Sequence, residues 1–172
     1  DQEFFNDRAF VAINKKGGLI AWGDSDYGGD INAIKDQLKY GVRQVYSRKQ
    51  GFAALKESGA VISWGDYYRW EDVSQSFRES YPYLEILYSV REYASVARLI
   101  NKDVVNISST GEAFAALKSD GSVTTWGKCP AGGDSSIWYT DRSSTSVKSK
   151  LNNGVKKIFS NAVAFAALKD DG

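Results

Sequence analysis

A chain of 172 residues is long enough to bury one compact core. Its 22 Lys and Arg are offset by 21 Asp and Glu, so it has no surplus of positive charge to hold a polyanion, which speaks against nucleic acid as a partner. With no histidine and one cysteine, Cys129, it lacks the usual general base at neutral pH, a disulfide framework and the clustered thiolates of structural zinc.

The first element is a hairpin, FVAINKKGGLIAWG from Phe10, with apolar runs on both sides of a polar turn whose Gly17 can take a positive φ. After a glycine-rich loop, DINAIKDQLKYG at 30–41 predicts a short helix. Asp30 would cap it, Ala33, Ile34 and Leu38 would share one face, and Gly41 would close it. The strand VRQVYS and a second hairpin, FAALKESGAVISWG from Phe52, follow. Residues 71–80 offer a matching helix that ends before Pro82, and LEILYS at 84–89 a matching strand. The chain turns at Asn101-Lys102-Asp103, resumes as the strand VVNISS, and forms a third hairpin, FAALKSDGSVTTWG from Phe114. Ser144 to Gly154 then predicts a helix with Val147 and Leu151 on one face. The strand VKKIFS and the segment FAALKDDG from Phe165 come last.

These elements are copies of one unit. The step from Phe to Trp is the same in Phe10–Trp22, Phe52–Trp64 and Phe114–Trp126, and equivalent turns carry Gly17, Gly59, Gly121 and Gly172. A glycine follows each Trp (Gly23, Gly65, Gly127), and an aspartate lies eight residues beyond it (Asp30, Asp72, Asp134). An aliphatic residue stands seven positions before each of the last three Phe: Val45, Ile107 and Ile158. The Phe-to-Phe steps of 42, 62 and 51 place insertions between fixed anchors. The chain is expected to be a single repeat domain over 1–172, with units at about 1–41, 42–83, 104–154 and an incomplete 155–172. A degenerate copy or an unrelated insertion fills 84–103. Phe10, Trp22, Phe52, Trp64, Phe114, Trp126 and Phe165 are expected to be structural, with all three Trp in the core and each covering a neighbouring unit. No unit this small can bury both faces alone, so units must stack.

The glycine hairpin ending in Trp-Gly, repeated about every fifty residues, resembles the RCC1-like repeat family. The likeness rests on Phe10–Asp30, Val45–Asp72, Ile107–Asp134 and Ile158–Gly172. It is nearest the FAALKxDGSVxxWG…GGD tandem variety of large microbial proteins, as Asp24-Ser25-Asp26-Tyr27-Gly28-Gly29-Asp30 and Ala131-Gly132-Gly133-Asp134 illustrate. The resemblance implies a mainly β fold with short helices, built of β-propeller-type repeats. Here there are too few units for a seven-bladed ring, hence an open or partial propeller. It also implies a platform for protein partners. The exchange-factor activity of the founding member matches no residues here and is not carried over.

Three surfaces could carry function. Asp24, Asp26 and Asp30 surround two glycines as a calcium loop would, yet Asp24 is matched by Asp66 in the second copy and Lys128 in the third, Asp26 by no acidic residue, and only the last aspartate recurs in both, where helix capping explains it. Tyr67, Tyr68, Arg69, Trp70, Tyr81 and Tyr83, with Arg78, are the densest aromatic and arginine cluster, placed where the repeat breaks; Trp138 and Tyr139 lie in the other enlarged loop. Lys148, Lys150, Lys156 and Lys157 read as a solvated surface. The expectation is a non-catalytic protein-binding or scaffold module with no cofactor, and self-association through the terminal repeats is one form of it. The alternative is a carbohydrate- or surface-binding module of a secreted adhesin or toxin, in which case glycan is the ligand. No stretch has the apolar length of a membrane helix. The absence of Met and the break within a motif at Gly172 read as a piece of a longer protein, with an extracellular or cell-surface setting favoured over the cytoplasm.

Overall fold

The computed structural model describes residues 2–65, 96–127, 132 and 147–172. Among the described residues eleven strands run in chain order: β1 Gln2–Phe5, β2 Ala9–Ile13, β3 Leu19–Gly23, β4 Val42–Arg48, β5 Gly51–Lys56, β6 Val61–Gly65, β7 Val104–Ser109, β8 Ala113–Lys118, β9 Val123–Gly127, β10 Val155–Ser160 and β11 Phe165–Lys169. They pair antiparallel in four separate small sheets, β1-β2-β3, β4-β5-β6, β7-β8-β9 and β10-β11, one sheet per repeat unit. The fold is mainly β, an open row of propeller-type blades.

Register explains the fixed step in the sequence. Phe10 pairs across the hairpin with Trp22, Phe52 with Trp64, and Phe114 with Trp126. The rings then meet at centroid distances of 5.7, 5.5 and 5.3 Å. The turn between them needs its glycine. Gly59 has φ +79°, and a Cβ there would stand 2.9 Å from the Asp103 amide nitrogen, so both backbone conformation and space exclude a side chain. In the third copy of this turn Ser122 donates to Asp120 through its amide and its hydroxyl, which holds the Asp120 carboxyl below its ordinary pKa.

The central strands are buried on both sides. Phe52, Ala53, Ala54 and Leu55 are all inaccessible, because alternate residues serve two different cores. Phe52, Ala54 and Trp64 pack on Val11, Ile13, Leu19 and Leu38 of the first unit. Ala53, Leu55, Val61 and Ile100 pack on Ile107, Phe114 and Trp126 of the third. A smaller core joins Ala115 and Leu117 to Val155 and Ile158 of the fourth. The alanines let neighbouring sheets approach, and each large side chain buried this way contributes about 1.5–3 kcal/mol.

The predicted helix at 30–41 is replaced by tight turns. A 3-10 turn covers Asn32–Ile34, followed by further i to i+3 hydrogen bonds, from the Gln37 amide to Ile34 and from the Leu38 amide to Lys35. Asp30 does accept the Asn32 amide at 2.8 Å, but it caps a turn rather than an α-helix. Leu38 is buried and Ile34 half-buried, whereas Ala33 is exposed. The cause is tertiary: the Leu38 carbonyl accepts the Leu19 amide, so a neighbouring strand takes the acceptor that a continuing helix would use. The expected helix at 144–154 is likewise a 3-10 turn over Lys148–Leu151, with Val147 exposed.

In the second unit, residues 96–103 do this work. Buried Ile100 accepts the Val61 amide just as Leu38 accepts that of Leu19, and Asp103, at φ +63°, takes the place of Gly41. The helix expected at 71–80, the strand at 84–89 and most of the degenerate copy lie outside the described residues.

Candidate functional site

Each unit has a leading face, turned to the unit before it, and a trailing face, turned to the unit after it. The leading face carries the Phe, the Trp and the second alanine of the motif. The trailing face carries the first alanine and the leucine. Among the described residues the joint between them is built three times.

Its backbone is the same each time. The turn glycine carbonyl accepts an amide from the first strand of the next unit: Gly17 from Val42 at 2.9 Å, Gly59 from Val104 at 3.0 Å, and Gly121 from Val155 at 2.9 Å. A second bond runs back, from Glu57 to Gly41, Ser119 to Asp103 and Asp170 to Gly154. The β4–β5, β7–β8 and β10–β11 connections are joined as well, through the Lys49 amide to Gly111 and the Gly111 amide to Ala162.

Side chains add specificity. Trp64 donates its indole N–H to the Gly28 carbonyl of the first unit, and Trp126 donates to the Ser63 hydroxyl of the second. Gly28 must lack a side chain, since a Cβ there would meet Phe52 at 2.9 Å and Trp64 at 3.2 Å. Gly132 stands in the same relation to Phe165. Arg48 crosses the second joint: its guanidinium donates to the Glu112 carbonyl at 2.7 Å and lies over the Phe114 ring.

This geometry corrects one expectation. Trp64 and Trp126 are core residues, but Trp22 is 45% exposed and its partner Phe10 46% exposed. Both belong to the leading face of the first unit, which no described residue covers. Phe5 and Ile20 extend the same patch, and the Phe10 and Trp22 rings lie nearly parallel, 9° apart. At the other end, Phe159 and Leu168 stand exposed on the trailing face of the fourth unit, while Phe165 is half-buried against the third.

The other expected site residues separate into two groups. Tyr67, Tyr68, Arg69, Trp70, Tyr81, Tyr83, Trp138 and Tyr139 lie outside the described residues. Asp24, Asp26 and Asp30 are described, and their carboxylates do not gather. Asp24 accepts the Asp26 amide at 3.0 Å and pairs with Arg8 at 3.7 Å, and Asp30 caps its own turn. Among the described residues no group of three Asp, Glu, Cys or His side chains could hold a metal ion, and no helix is long and apolar enough to cross a membrane. Lys148, Lys150, Lys156 and Lys157 are exposed. The sequence reading expects open terminal repeats but places Trp22 in the core, because every copy shares the same anchors and only their order in the chain distinguishes a covered copy from an uncovered one.

A row of three-stranded antiparallel blades joined face to face defines a propeller-type repeat protein. Comparison with known proteins narrows this. No family model matches the chain, and no curated protein does. Thirty chains of solved structure match it. Human WBSCR16 shares 19% identity at a TM-score of 0.50, over 99% of this chain and 45% of that one. Yeast RCC1 (Prp20), solved bound to Kap60, shares 18% at 0.50, over 96% and 39%. The ectodomain of the Physcomitrella patens receptor kinase CR4 shares 15% at 0.52, over 97% and 37%. The fold is the RCC1-like repeat fold, and the chain spans less than half the length of these structures.

Proposed function

We propose that this chain is a non-catalytic module that binds or holds another protein, and that its repeats are of the FAALKxDGSVxxWG…GGD tandem variety found in large microbial proteins. The observation that carries this reading is the row of sheets joined face to face in the RCC1-like fold; among the described residues Phe5, Phe10, Ile20 and Trp22 add an exposed apolar patch. Large exposed aromatic groups of this kind mark interaction surfaces and supply most of the binding energy at them. The RCC1-like fold supports it, since yeast RCC1 has been solved with Kap60 bound. The loop residues Tyr67, Tyr68, Arg69, Trp70, Tyr81, Tyr83, Trp138 and Tyr139 are proposed as a second contact region.

The test places a photo-reactive amino acid at Trp22, at Tyr68, at Trp70 or at Trp138, with Lys35 as an exposed control, in cells that carry the protein. A defined protein adduct from position 22 or from the loops, and none from 35, is the expected result. Absence of any protein adduct, together with glycan-array binding lost in Trp70→Ala, would replace this reading with the carbohydrate-binding one.

A further inference from the structure

The first strands of the last three units carry a β-bulge at the same place. The register shifts between Val42 and Gln44 in β4, between Val104 and Asn106 in β7, and between Val155 and Lys157 in β10. A bulge inserts a residue with no cross-strand partner and re-aims its side chain. The inserted residues are Arg43, Val105 and Lys156, and all three are exposed. The anchors of the repeat recur on either side of them, whereas this one position changes from cation to valine to cation.

The bulges line one edge of the row. Among the described residues β4, β7 and β10 each pair with one strand only, so each leaves its other edge free. Neighbouring first strands pack on one another, β4 on β7 and β7 on β10, which sets the three free edges side by side. The Arg43 guanidinium donates to the Val105 carbonyl at 3.0 Å. The Tyr46 hydroxyl donates to Asn106 Oδ1 at 3.1 Å, so the Asn106 side chain keeps its N–H donors for another group. Lys157, beside Lys156, is exposed as well. Val105 and Asn106 have a unit on either side and are still exposed, so the opening belongs to the edge and not to an end of the row. Asp103, the acid nearest in sequence to Val105, pairs with Lys102 at 3.9 Å.

What fits there follows from what the strip offers. A partner that adds as a further strand needs an uninterrupted run of free backbone groups. Here the bulges break the run, and the Val105 and Ile158 carbonyls already accept from Arg43 and the Ser108 hydroxyl. Recognition therefore falls to side chains that donate, with a valine between them. Nucleic acid is a poor match, since a duplex carries a charge about every 1.7 Å. Arg43 and Lys156 lie two sheets apart, and stacked sheets are spaced about 10 Å. An extended peptide rises about 3.3 Å per residue, so acids about six residues apart would meet the two cations, with an apolar residue over Val105.

We infer that this edge (Arg43, Val105, Asn106, Lys156, Lys157) docks an extended acidic segment of a partner protein. This rests on the reading of the chain as a protein-binding module and names the partner's chemistry at a surface separate from the aromatic loops.

Fluorescence anisotropy of the full chain tests it, with a labelled eight-residue peptide that has a pair of glutamates at each end and a leucine between them. Binding should be saturable at low salt and weaken as salt is raised. Arg43→Glu and Lys156→Glu should each weaken it about tenfold. Lys35→Glu, the same change of charge on an exposed residue away from the strip, should leave it unaltered. Far-UV circular dichroism checks folding, and Lys156→Glu decides alone where the loss of the Arg43 contact unfolds the chain. Absence of saturable binding overturns the inference, and so does an equal loss in Lys35→Glu. A single-stranded oligonucleotide of equal charge that binds more tightly, and is lost in the same variants, would give the strip to nucleic acid instead. A chain that ignores the peptide while position 70 or 138 still cross-links to a protein would sink the strip and leave the binding-module reading intact.

Discussion

One residue type in one motif position can be core or surface, and the neighbouring unit decides which. Phe114 lies inaccessible beneath the second unit with Arg48 over its ring; Phe10 has the same hairpin partner, and no described residue covers it. Truncating Phe114 removes a fully buried ring and leaves a cavity, which costs about 3–5 kcal/mol. Phe10→Ala, measured where the chain is dilute, should cost at most about 1 kcal/mol, since roughly half of that ring gains nothing from burial. Urea denaturation should therefore show a large fall in midpoint for Phe114→Ala and a small one for Phe10→Ala. Equal losses would mean that the motif stabilises each hairpin by itself and that stacking adds little. The Phe-to-Trp spacing was legible from residues alone because it is a local property of hairpin register. Exposure of Trp22 was not, because it depends on what stands outside the unit.

At the scale of elements, the repeat can be used against itself. The residue that precedes the first strand of a unit has positive φ: Gly41 at +70°, Gly154 at +70°, and between them Asp103 at +63°. An L side chain in that region carries strain of about 1 kcal/mol, though aspartate tolerates it better than most. Asp103 is exposed, and its 3.9 Å pair with Lys102 is too solvated to hold it there. Asp103→Gly should thus raise stability by roughly 0.5 kcal/mol, the strain relief being partly offset by the greater freedom of glycine in the unfolded chain. A thermal midpoint that falls would show that the aspartate carboxylate makes a favourable turn contact outweighing its strain. Hairpins, turn glycines and the strands beginning at Val42, Val104 and Val155 could be read from the sequence, since alternation and turn chemistry act over a few residues. The helix at 30–41 misled. Its Asp30 cap and Leu38 spacing are genuine helix signals, but the long-range bond from Leu19 to Leu38 outweighs a propensity of a few tenths of a kcal/mol per residue. Ile100 as the counterpart of Leu38 was hidden for a different reason: it lies 35 residues beyond Gly65, too far for the eye to place in the same unit.

For the whole molecule, stacking predicts a gradient of stability along the row. The sheets β4-β5-β6 and β7-β8-β9 each have a unit on both sides, and their middle strands are buried except at the terminal Lys56 and Lys118. Among the described residues the sheets β1-β2-β3 and β10-β11 have a neighbour on one side only, and β11 is largely open. In a repeat array the free energy of opening a unit is its own stability plus that of the joints it breaks. An inner unit breaks two joints and an end unit one. Hydrogen exchange followed by mass spectrometry should find β5 and β8 protected longest, β2 less, and β11 least. Protection that is uniform along the row would mean that the four sheets open as one cooperative body and that stacking does not grade their stability.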